Sequence, residues 1–205
     1  MSHAAVPPLS PHRSQAAAAL LGRAFFADPG FRHAFPDEAR REARLTWLSA
    51  RLLRLVRLAG GGVDAVDDTP SAVALWMPVE QRFDEPLGLL WRAGLFASPL
   101  ALGLRATRRL AAFGRATMVM HRAHVPVPHD YLLQLAVDPA HHGQGLGSTL
   151  LRAGLERADR ARRPVWLETT NPRNVALYER HGFVTMERRT LPGDVTLLGM
   201  LYAGA

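Results

Sequence analysis

Apolar residues follow a helical period in the first sixty positions and a strand period afterwards. Ser14–Phe26 is alanine-rich and predicts a helix stopped by the turn signal Asp28-Pro29-Gly30. Leu45, Leu48, Leu52 and Leu55 recur at spacings of three and four behind Asp37, which suits an N-cap, and Gly60-Gly61-Gly62 ends that second helix. Val63–Val66 and Ala72–Met77 predict two strands joined by the polar turn Asp67–Ser71. Residues 80–128 are irregular and punctuated by Gly and Pro, with helical stretches and no legible chemistry. Within them Leu87–Leu104 holds only one charge, Arg92, but Gly88, Gly94, Pro99 and Gly103 interrupt it. Two short buried or lid-like helices are expected there, not a membrane span.

The second half is more sharply patterned. Tyr131–Val137 is almost wholly apolar, as in a central strand buried on both faces. Asp138-Pro139 closes it, and a glycine-rich loop, His141–Gly147, leads into a helix with Leu151, Leu155 and Ala158 on one face. Val165–Thr169 is the next strand. Asn171-Pro172 is a strong helix start, and Gly182 suits the left-handed conformation that ends the short helix. Phe183–Arg188 and Val195–Tyr202 read as two further strands. No internal repeat or long linker appears, so residues 1–205 are expected to form a single domain.

Composition narrows the chemistry. The chain carries 25 Lys+Arg against 18 Asp+Glu for a net +7, and every one of those cations is arginine. With no cysteine, disulfides, thiolate metal sites and cysteine nucleophiles are excluded. Residues 1–100 hold 11 Arg and 10 acids, whereas residues 101–205 hold 14 Arg and 8 acids, so the basic excess lies in the second half. Arg105, Arg108, Arg109, Arg115 and Arg122 precede any acid before Asp130, which fits a solvated helix face or an anion-facing one. No targeting signal stands out, so a cytoplasmic protein is expected. His121, His124 and His129 read as loop histidines without a ligand pattern, and no metal is expected.

Gly143-Gln144-Gly145-Leu146-Gly147-Ser148 lies between a strand and a helix N-terminus. There glycines let a ligand approach the main chain, and N–H groups and the helix dipole favour an anion. Its G-x-G-x-G spacing is not the dinucleotide fingerprint, and a chain without lysine has no P-loop. His142-Gly143-Gln144-Gly145-Leu146-Gly147, followed by Asn171 and then Asn174-Val175-Ala176-Leu177-Tyr178-Glu179-Arg180-His181-Gly182-Phe183, resembles the GNAT superfamily of acyl-CoA-dependent N-acyltransferases. The Leu-Tyr-Glu-x-x-Gly-Phe signature is matched in full. His142 replaces the usual Arg or Gln. Specific motifs cover residues 130–185, and Leu167–Phe183 looks most like the puromycin N-acetyltransferase-like branch.

The resemblance implies an α/β fold with a mixed, mostly antiparallel central sheet flanked by helices and splayed at an acyl-CoA site. It implies acetyl-CoA as co-substrate: main chain of Leu135, Ala136 and Val137 on the pantetheine arm, and amides of His142, Gly143, Gln144, Gly145, Leu146, Gly147 and Ser148 on the pyrophosphate. Asn171, Asn174 and Tyr178, at i, i+3 and i+7, would share one helical face toward the co-substrate. Tyr178 is the candidate general acid for the departing thiolate. Gln134 stands where many relatives carry a glutamate, leaving Glu168 as the candidate base. The expected reaction is direct acetyl transfer to an amine of a small molecule, with residues 80–128 on the acceptor side. Alternatives are a protein N-terminal acetyltransferase and a non-catalytic acyl-CoA-binding module; nucleic-acid and membrane partners are not expected, and a homodimer is left open.

Overall fold

The computed structural model describes residues 6–67, 70–80, 87–125 and 128–204. Strands β1 (Gly62–Val66), β2 (Ala72–Val79), β3 (His129–Val137), β4 (Val165–Thr169), β5 (Val184–Leu191) and β6 (Val195–Tyr202) form one sheet in the order β1-β2-β3-β4-β6-β5. Only the β3–β4 pairing is parallel, so the sheet is mixed and mostly antiparallel, as expected. The helices are α1 (Ser14–Ala24), α2 (Pro29–Ala34), α3 (Glu38–Leu58), α4 (Leu87–Ala93), α5 (Ser98–Leu102), α6 (Leu104–His124), α7 (Leu146–Ala161) and α8 (Val175–Glu179).

Alternation along β2 sets the layers. Ala72, Ala74 and Trp76 pack with Leu150, Leu151, Leu155 and Ala158 of α7. Val73 and Leu75 point the other way, onto Ala17, Leu20 and Leu21 of α1 and Leu53 and Val56 of α3. β2 is therefore the strand buried on both faces. β3, predicted for that role, is half-buried, because it borders a gap in the sheet described below. The α7 helix lies close on β2 because residue 154 is glycine. A Cβ there would come within 2.0 Å of the Trp76 ring.

Several boundaries differ from the sequence reading. Residues 80–128 contain the 21-residue helix α6, whose inward positions are Ala106, Ala116, Met120 and His121, too small or too polar to show a leucine-type period. His121 and His124 lie in its last turns and His129 opens β3, so these histidines are not in a loop. The interrupted Leu87–Leu104 stretch forms α4, a short 3-10 turn and α5; two short helices are there as expected, but they are not buried, and Leu87, Trp91 and Leu100 are exposed. Among the described residues no helix is long and apolar enough to cross a membrane. Asp37 occupies the N-cap of α3, but its carboxylate pairs with Arg40 at 3.6 Å and does not cap. β5 starts one residue later than predicted and continues to Leu191. Asp67 opens the predicted Asp67–Ser71 turn with a φ of 69°; its positions 68 and 69, like 81–86 and 126–127 of the variable segment, lie outside the described residues.

Candidate active site

β3 and β4 run parallel but pair only at Asp130–Val165 and Tyr131–Trp166. From there to Val137 the two strands diverge, which opens the expected splay at the centre of the sheet. β3 also carries a bulge. Trp76 faces Leu132 and Leu75 faces Gln134, leaving Leu133 as the extra residue. The bulge inverts the alternation: Leu132 and then Leu135 and Val137 pack on the α7 side, while Leu133 and Ala136 pack on the α1 side.

The strand ends in the glycine loop. Asp138 closes it, its Oδ1 accepting from Ala140 N–H and its Oδ2 from the Arg23 guanidinium of α1; Arg23 holds this carboxyl below its usual range. Gly143 and Gly145 take φ values of 81° and 77°, a region costly for any residue with a Cβ. Gly145 is also the N-cap of α7. Positions 142–145 are exposed, and no amide from Gly143 to Ser148 donates within the described residues. These open N–H groups sit at the positive end of a 16-residue helix. The His142 ring Nε2 donates back to the Val137 carbonyl at 3.2 Å, so this departure from Arg or Gln ties the loop to the end of β3.

Glu168, near the end of β4, has a side chain only 2% exposed. Trp166 Nε1 donates to its Oε1 at 2.6 Å and the Tyr131 hydroxyl donates to its Oε2 at 2.8 Å. Burial pushes its carboxyl up to about 7, against those two hydrogen bonds. His121 Nδ1 lies 3.4 Å from Oε1, but burial, reinforced by His129, lowers the imidazole to about 3. At neutral pH this contact therefore involves an uncharged ring and is not an ion pair.

Tyr178 projects from α8 and is buried, and its hydroxyl makes no hydrogen bond among the described residues. Burial, and next the Asp28 charge, push its phenol above the ordinary value, so it is a neutral proton donor throughout the physiological range. The expected single helical face does not exist. Pro172–Asn174 is a 3-10 turn before α8, and Asn171 stands outside it as N-cap, its Oδ1 accepting from Arg173 N–H. Asn174 and Tyr178, but not Asn171, line a cavity of about 630 Å³. Gly182 has a φ of 86°, but α8 has already ended at Glu179, and Gly182 N–H closes the following turn onto the Glu179 carbonyl.

The same cavity is lined by Gln134, Tyr131, Glu168 and His121 and is walled by Phe25, Phe31, Leu48, Leu52 and Phe113. It thus reaches from the β3–β4 gap out to α2, α3 and α6. Asp28, the N-cap of α2, also lines it. The Gln134 amide oxygen is buried without a hydrogen-bond partner among the described residues. Among the described residues no His, Cys, Asp or Glu cluster is arranged to hold a metal ion.

An open amide cradle, a split in the sheet and a buried tyrosine lining the cavity coincide with a match of residues 70–183 to the acetyltransferase (GNAT) family. The chain belongs to that family. Membership makes it an acyl-CoA-dependent N-acetyltransferase by class, and solved GNAT structures share its architecture. A Corynebacterium glutamicum protein, described as histone acetyltransferase HPA2 and related acetyltransferase, is 26% identical with a TM-score of 0.67, over 98% of this chain and 96% of that one. Arylalkylamine N-acetyltransferase 2 of Aedes aegypti is 15% identical with a TM-score of 0.63, over 95% and 96%. The polyamine N-acetyltransferase of Drosophila melanogaster is 19% identical with a TM-score of 0.59, over 96% and 97%. Within this GNAT fold the sequence reading missed Asp28, which it took as a turn residue, and Tyr131 and His121, which meet Glu168 only through tertiary packing. The Trp166 ring is buried, and its N–H serves Glu168.

Proposed function

We propose that residues 1–205 act as one unit that moves an acetyl group from acetyl-CoA to the primary amine of a small molecule, by direct attack with both substrates bound. The observation that carries this reading is that Glu168 and Tyr178 line one cavity, which opens at the gap beside β3. The amides of Gly143–Ser148 suit the pyrophosphate, and those of Leu135–Val137 suit the pantetheine arm as an added strand. Asn174 takes the polar role expected of the pair, and Asn171 is left to capping. The co-substrate supplies an acyl thioester. Glu168, poised near neutral pH, accepts the proton of the incoming ammonium through the Tyr131 hydroxyl or a water, and Tyr178 gives its proton to the sulfur as the C–S bond breaks. The lack of any cysteine to carry the acyl group favours direct attack over a ping-pong route.

A largely apolar cavity of about 630 Å³ supports a small acceptor, as does the likeness of Leu167–Phe183 to the puromycin N-acetyltransferase-like branch. The fold neighbours named for arylalkylamines, polyamines and agmatine point the same way. The test is release of free thiol from acetyl-CoA across a panel of amines. Release accelerated in a saturable way by at least one amine is expected. Release that no amine accelerates overturns the reading.

A further inference from the structure

Asp28 is unusual among the carboxylates near the site because its interactions are one-sided. Its Oδ1 accepts from Gly30 N–H at 3.0 Å, Phe31 N–H at 3.2 Å and the Thr170 hydroxyl at 2.8 Å. Its Oδ2 accepts no hydrogen bond among the described residues, and no Arg or His there pairs with the carboxylate. The group nevertheless lines the cavity and is half-buried there; burial raises its carboxyl above the usual range. A half-buried carboxylate without a countercharge is a natural partner for a cation that arrives to face it. Thr170 places it just past Glu168 on β4, and its charge is felt at Tyr178, so it stands beside the proposed acid and base.

The other charged side chains that line the cavity among the described residues are one further acid and two cations. Asp28 and Glu168 are the carboxylates that line the cavity among the described residues, and both lie at the β4 end. The α6 wall contributes Arg108 and Arg109, the latter anchored to the His33 carbonyl at 2.7 Å. Much of the rest of the surface is made of side chains such as Phe25, Phe31, Leu48, Leu52 and Phe113. A second ammonium away from Asp28 and Glu168 would meet apolar walls and guanidinium groups, and no further carboxylate among the described residues. An apolar body would meet neither penalty.

Resting on the acetyltransferase reading, we infer that Asp28 is the ammonium-binding, specificity-determining residue and that the acceptor is a primary monoamine with an apolar body, not a polyamine. Oδ2 receives the ammonium, and the carboxylate holds the amine beside Glu168 and Tyr178 until deprotonation frees its lone pair.

The experiment compares the full chain and its Asp28→Asn variant with acetyl-CoA and three acceptors: phenethylamine, agmatine and an alkyl aniline, which is uncharged at neutral pH. Asparagine still caps α2, because its amide oxygen can replace Oδ1. The wild type is expected to prefer phenethylamine over agmatine by about tenfold or more in kcat/KM, and the variant to raise the phenethylamine KM by about tenfold with little change in kcat. The aniline KM should stay within about twofold, which a merely structural role for Asp28 would not predict. As a readout independent of the variant, phenethylamine should raise the melting temperature of the wild type with CoA present more than the aniline does. Preference for agmatine, an unmoved phenethylamine KM, equal loss for both charged and uncharged acceptors, or equal thermal shifts overturns the assignment while leaving acetyl transfer standing. If no amine accelerates thiol release in the wild type, the acetyltransferase reading falls and takes this inference with it.

Discussion

The loop from His142 to Ser148 and the wall formed by α2, α3 and α6, the two halves of the proposed site, are built by different means. The loop works through main chain. Its shape comes from glycines at positive φ and from a helix start, with the His142 ring tying it to the end of β3. The wall works through side chains drawn from positions as distant as Phe25 and Phe113, brought together by core packing. One half can therefore keep its co-substrate while the other changes its acceptor.

Substitutions can break or sharpen the contrast. The largest effect is expected at the junction: Tyr178→Phe should lower kcat by roughly 10²–10³-fold while calorimetric binding of acetyl-CoA stays nearly unchanged. A variant that keeps its turnover would remove Tyr178 from the chemistry. Glu168→Gln should lower kcat by about 10–10²-fold and abolish the acidic limb, which in the wild type rises with pH through about 7. The same residue has a stability signature. Its folded value of about 7 lies above the reference 4.5, so the stability it contributes is present below about 4.5 and lost as pH rises through about 7. Melting temperatures at pH 5.5 and 8 should therefore fall more in the wild type than in Glu168→Gln.

Within the loop, Gly145→Val should raise the acetyl-CoA KM by about tenfold through a strained φ, with the amine KM unmoved. A shift in the amine KM instead would erase the distinction between the halves. Gly154→Ala is expected to act on neither substrate directly. Its Cβ would strike Trp76, costing about 1–3 kcal/mol in denaturant unfolding.

The contrast also explains what could be read from the sequence. The cradle is contiguous, so glycine spacing, a preceding strand and a following helix declared it, and Leu151, Leu155 and Ala158 do face the core. Glu168 and Tyr178 were legible from a strand end and a motif. The geometry around them was not. That Trp166 and Tyr131 hold Glu168 depends on which strand lies beside which, and the bulge at Leu133 depends on the register with β2. Asp28 could only look like a turn residue, because its partner Thr170 is 142 positions away. The 3-10 turn at Pro172–Asn174 defeated the single-face argument, since one tightened turn rotates every later side chain.

The two-pair contact between β3 and β4 has a consequence for amide hydrogen exchange. In most sheets protection is greatest at the centre and decays toward the rims. Here the middle of the sheet holds main-chain amides along the free edge of β3 that lack a strand partner, so a burst of early deuteration is expected at the centre in the protein alone. Slowing of that burst on addition of CoA would trace, amide by amide, how far a ligand completes the sheet.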